Sequence, residues 1–257
     1  ASAVFPAYAL ARAMGMNRRR TAFLVGVTAV LPTMSAASTF MSETVFLPLS
    51  LWQVYFFLRA MQAEPKARVL VRGGGGVLHL LYLNKEVALY YLIAWVLVRA
   101  WVWWHDSVVA GELACNAALL GSFLVCFLLA KATLFRGLGN SYNQTGWLTA
   151  EQWRFLPFAL VCDALFAVLA FWVFPVLLPL CGLHRPRRGS DARRTQLPLF
   201  LLLSLGIGGL IAWSITVRED LGSPSPRQHT RYLEPLLIPL LAVTLDTLDE
   251  KLTKTRR

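Results

Sequence analysis

Charge is scarce in this chain, and negative charge is scarcest. Only 15% of its 257 residues are charged, with 14 Asp and Glu against 25 Lys and Arg. A soluble domain carries about 25% charged residues. Cysteine is scarce too. Cys115, Cys126, Cys162 and Cys181 form no CxxC pair and lie in or beside apolar segments. They read as packing residues rather than metal ligands or disulfide partners. His79, His105, His184 and His229 lack metal-ligand spacing. There is no GxGxxG, HExxH or GxSxG. "RGGGGV" (72–77) lacks the Gly-Lys-Ser/Thr of a phosphate-binding loop. Asn143-Gln144-Thr145 matches a glycosylation sequon, a short pattern that depends on the compartment.

Apolar sequence fills the space that charge leaves. Hydrophobic residues make up 56% of the chain, and nine are Trp. Apolar segments run roughly over 1–14, 20–37, 42–60, 69–84, 87–104, 112–134, 154–182, 196–217 and 231–248. A soluble core cannot use so many, so the expected fold is all-α, a polytopic membrane helix bundle. It would have about eight full transmembrane helices plus a truncated first one, forming one domain over 1–257. Segment 69–84 contains Gly73 to Gly76, and a broken or re-entrant piece is the alternative there. The chain opens Ala-Ser-Ala-Val-Phe-Pro, without Met and without a basic leader. The expectation is that an N-terminal part of a longer protein precedes it.

The net charge of +11 raises nucleic acid as a partner, but the cations collect at the ends of apolar runs. There they fix topology, and no nucleic acid is expected. With the "RAMGMNRRR" turn (12–20) in the cytoplasm, strict alternation puts all but seven of the 25 basic residues on that side. The seven are Lys85, Lys131, Arg136, Arg154, Arg218, Arg227 and Arg231. The basic loops and the C-terminus are then cytoplasmic. "HRPRRGSDARR" (184–194) reads most simply as an anchor loop, with binding of anionic lipid headgroups as the less favoured alternative.

The same topology makes the outer face rich in polar side chains at helix mouths. Lys85 and Glu86 sit in a tight outside turn within "LHLLYLNKEVALYYLIAW" (78–95). A cation among apolar neighbours needs an anion. It is explained by a salt bridge to Glu86 or Glu43, by snorkelling, or by binding a lipid-headgroup phosphate. Arg231 and Tyr232 open the last helix after a polar loop. Arginine's planar fork suits phosphate, while a tyrosine at a helix mouth is also an interfacial belt residue. Arg227 and His229 are near in sequence. Glu43 opens a helix, where a carboxylate complements the helix dipole and where it could also hold a sugar hydroxyl or orient Lys85. Asp163 lies deeper, inside an apolar run.

Three stretches resemble membrane glycosyltransferases of the GT-C type, such as protein mannosyltransferases and the aminoarabinose transferases of bacterial lipid A. Residues 5–61 contain an Arg-rich turn, a helix, a Pro with small polar residues, then Ser-Glu opening a long helix ending Leu-Arg-Ala. "VRGGGGVLHLLYLNKEVALYYLIAWVLV" (71–98) is similar to the family's next element, with Asn84 where Thr is commoner. "RYLEPLLIPLLAV" (231–243) is similar to its last helix. The stretches keep the family's order and cover well under half of the chain.

The resemblance implies an enzyme that moves a sugar from a polyprenyl-phosphate carrier to a glycan, lipid or protein acceptor on the outer side of the membrane. Lys85 and Arg231 would hold the carrier phosphate, with Glu43, Glu86 and Tyr232 in support. The lipid-linked sugar is the co-substrate, and a divalent cation stays open. The family's catalytic carboxylate lies in its first outside loop, a position that neither Glu43 nor Glu86 occupies. The base is therefore expected in a preceding segment. The competing functions are a non-catalytic subunit that binds lipid phosphate and a transporter of lipid-linked sugar, which would need polar residues along a mid-membrane path.

Overall fold

A computed structural model describes residues 2–30, 43–62, 67–84, 88–105, 110–133, 149–150, 153–158, 161, 165, 192–219 and 230–255. Among the described residues the ordered elements are all helical. They are α1 (Val4–Ala13), α2 (Arg18–Ala29), α3 (Glu43–Gln62), α4 (Ala67–Asn84), α5 (Leu89–His105), α6 (Ala110–Thr133) and α7 (Ala192–Glu219). A 3-10 helix, Thr230–Leu236, then leads into α8, Leu237–Thr255.

The Arg-rich turn is built by local chemistry. Gly15 has φ 76°, a left-handed conformation that costs glycine nothing and ends α1. The Met16 amide reaches back to the Ala11 carbonyl at 3.0 Å, closing the last turn. Asn17 then caps α2, its side chain accepting from the Arg20 amide at 3.0 Å. Gln62, at the end of α3, donates to the Ala13 carbonyl at 3.0 Å. Arg59 holds that Gln62 side chain at 2.7 Å. The C-termini of α1 and α3 therefore meet at one end of the bundle.

The four consecutive glycines do not break α4, which is continuous from Ala67 to Asn84. The broken-helix alternative for this segment is thereby set aside. The glycines instead let α4 lie against two helices. A methyl group on Gly74 would stand 2.7 Å from Phe56 Cβ on α3. One on Gly75 would collide with the Ser122 hydroxyl, the Leu119 carbonyl and the Phe123 amide of α6. Backbone approach this close admits only glycine.

Ring contacts and hydrogen bonds fix helix directions. Phe57 of α3 stacks on Trp95 of α5 at 4.4 Å, and Phe200 of α7 meets both rings, at 4.8 and 6.2 Å. Arg99 of α5 bonds Gln196 of α7 at 2.8 Å. The pairs Arg99–Gln196 and Trp95–Phe200 run in opposite senses, so α5 and α7 are antiparallel. Gly75 against Leu119 and His79 against Phe123 and Phe127 make α4 and α6 parallel. One continuous apolar core joins these helices.

Among the described residues, two helices are long and apolar enough to cross a membrane: α6, over Ala110–Thr133, and α7, over Thr195–Ser214. The apolar stretch Leu89–Trp104 of α5 is shorter. On α6, Leu113, Leu124, Val125, Leu128 and Leu129 face outward.

Candidate functional site

Lys85 and Glu86 lie outside the described residues, as do Asp163, Arg227 and His229. Glu43 is the first residue of α3, while Arg231 and Tyr232 belong to the 3-10 helix; all three are placed as backbone positions. Their elements meet. The 3-10 helix packs on both α3 and α7. It is anchored by Leu233 and Leu236, which are fully or almost fully buried. Gly208 on α7 makes room for it. A methyl group there would come within 2.8 Å of Leu233 and 3.4 Å of Tyr90. Pro235 lacks an amide hydrogen and marks the change from the 3-10 helix to α8.

Tyr90 stands in the first turn of α5, five residues after Lys85. Phe56, six residues before the end of α3, meets Gly74, seven residues after the start of α4. The two helices therefore run in opposite senses, and Asn84 is at the Glu43 end. The start of α3, the end of α4, the start of α5 and the 3-10 helix therefore gather at one end of the bundle. Pro48 inside α3 has no amide hydrogen to donate to the Thr44 carbonyl. The buried Asn84 Oδ1 has no partner among the described residues.

Deeper in the bundle lies a layer of polar side chains that sequence reasoning missed. Ser50 and Gln53 of α3, Tyr91 of α5 and Ser204 of α7 have no exposed surface. Among the described residues, no partner meets Ser50 Oγ, Gln53 Oε1 and Nε2, the Tyr91 hydroxyl or Ser204 Oγ. The Tyr91 hydroxyl nonetheless lies close enough to those of Ser50 and Tyr90 to interact with them. Several other hydroxyls do find a partner, although among the described residues the buried Thr21 Oγ1 does not. Thr28, Ser122, Ser214 and Thr244 each bond a carbonyl of their own helix, at 2.8 to 2.9 Å. An unsatisfied buried group costs about 1–3 kcal/mol.

Below this layer lies the aromatic layer of Phe57, Trp95 and Phe200. Below that lies a buried charge. Arg99, 2% exposed, donates to Glu112 Oε2 at 2.6 Å and to Gln196 Oε1 at 2.8 Å. Its guanidinium lies 5.8 Å from the centroid of Trp95 and 5.9 Å from that of Trp103. Sequence position alone makes Arg99 an end anchor; in the fold it ties α5, α6 and α7 together. In the sequence Glu112 and Gln196 each open an apolar segment, but nothing there pairs them with Arg99.

Among the described residues no three His, Cys, Asp or Glu side chains gather as a metal site requires. The chain matches no protein-family model, no curated protein and no solved structure.

Proposed function

We propose that this chain is a membrane glycosyltransferase that binds a lipid-linked phosphate. It would move a sugar from a polyprenyl-phosphate carrier to a glycan, lipid or protein acceptor on the outer side. Lys85 and Arg231 bind the carrier phosphate; Glu43, Glu86 and Tyr232 support them. No residue is assigned as the base, and no metal is assigned. The observation that carries the reading is the gathering of the Glu43, Asn84, Tyr90 and Arg231 elements at one end of the bundle. That end is opposite the buried Arg99.

The outward-facing leucines of α6 and the antiparallel run of α5 and α7 support a membrane bundle, to which we assign about eight spans with the basic loops cytoplasmic. The chemistry asks little more of these residues. The leaving group is already a phosphate, so two cations aimed at its growing charge lower the barrier by electrostatic stabilisation. Arginine adds a two-pronged grip that lysine lacks.

Donor turnover tests the reading. The full natural polypeptide, reconstituted in lipid vesicles, is given polyprenyl-phosphate mannose, glucose or aminoarabinose, each with labelled sugar. Consumption of any one, with label moving to an acceptor, is the expected result. All three donors returned chemically unchanged would remove the enzyme reading, leaving a transporter if they cross the vesicle membrane and a phosphate-binding subunit if they do not.

A further inference from the structure

Four polar side chains without exposed surface, drawn from three helices, share one level of the bundle. On α3, Ser50 and Gln53 precede Phe57 on one face. On α5, Tyr91 stands one turn before Trp95. On α7, Ser204 lies midway between Phe200, which meets Tyr91 at 6.1 Å, and Gly208, which meets Tyr90. Together they present unpartnered donors and acceptors: three hydroxyls and both ends of one amide. Groups this deeply buried are kept only where something satisfies them.

We propose that Ser50, Gln53, Tyr91 and Ser204 form a buried hydration site that holds ordered water inside the bundle. The donor set selects the guest. Hydroxyls and an amide both give and accept hydrogen bonds, as water does. None of the four carries a charge that would select an ion. The nearest described cation in the stack, Arg99, is separated from them by the aromatic layer and engaged by Glu112 and Gln196. A buried water with two to four polar partners is an ordinary structural component, and this layer supplies that number.

The aromatic layer closes the site toward the Arg99 end. Its other side is roofed by Tyr90, Leu233 and Gly208, directly beneath the 3-10 helix. Ser50 is seven residues into α3 from Glu43, about 10 Å along the axis at 1.5 Å per residue. The inference does not depend on the glycosyltransferase reading, because it rests on the described interior alone.

Radiolytic hydroxyl-radical labelling in heavy-oxygen water tests it, since radicals formed from a bound water label the side chains beside it. The full chain in lipid nanodiscs is irradiated, and Tyr91 is read by mass spectrometry. The expected result is dose-dependent heavy-oxygen uptake at Tyr91 despite its complete burial. Uptake should fall by about fivefold or more in the Ser50→Ala, Gln53→Met double variant, which removes two of the water's partners. If that variant does not fold, Ser204→Ala carries the same readout. An unlabelled Tyr91 in the wild type overturns the proposal. So does labelling that the variants leave unchanged, because the water would then be held elsewhere.

Discussion

Arg99 donates to Glu112 across 2.6 Å, and their side chains are only 3% and 16% exposed. Removing one partner of such a pair strands the other charge. Glu112→Ala should therefore destabilise the fold by about 3–5 kcal/mol. The double variant Arg99→Met, Glu112→Leu should be more stable than either single variant, because no buried charge remains. Thermal unfolding of the detergent-solubilised chain checks this. Single-variant losses that simply add would contradict it.

The contact between α4 and α6 makes a second prediction, with its own control. Gly75→Ala pushes a methyl group into the backbone of α6, where neither the Leu119 carbonyl nor the Phe123 amide can yield. Overpacking of this kind costs about 1–3 kcal/mol. A methyl group on the neighbouring Gly76 would meet nothing within 4 Å. Gly76→Ala should stabilise by up to about 1 kcal/mol through helix propensity. Opposite signs at adjacent positions, read by the same unfolding assay, are the expected outcome.

The turn between α1 and α2 makes a third prediction. Gly15→Ala forces a side chain into a left-handed conformation and should cost about 1 kcal/mol. Asn17→Ala removes the α2 cap and should cost about the same. Asn17→Ser should keep most of the stability, since serine also caps; a loss equal to that of alanine would contradict the capping role.

Much of this architecture is legible in the sequence because length and apolarity report helices directly. The apolar segment 87–104 corresponds to Leu89–His105, and 112–134 corresponds to Ala110–Thr133. Gly15 and Asn17 carry local signals that need no knowledge of the rest of the chain. Partnerships between helices are not legible. Ser50, Gln53, Tyr91 and Ser204 are isolated polar residues within apolar runs, and only the packing of α3, α5 and α7 brings them to one level. Gly75 looks like a weakness of its helix in the sequence, because the approaching backbone belongs to residues more than forty positions away. Of the candidate site, the elements that carry Glu43 and Arg231 come together, while Lys85 and Glu86 fall outside the described residues.

The proposed function rests on Lys85 and Arg231 holding a lipid-linked phosphate. The most direct measurement is the binding of polyprenyl phosphate to the full natural polypeptide in nanodiscs, beside the Lys85→Ala and Arg231→Lys variants. The expected result is saturable binding that weakens about tenfold or more in each variant, the scale that follows when a charge-assisted contact to phosphate is lost. Equal affinity in all three proteins, with their folds intact, would contradict it.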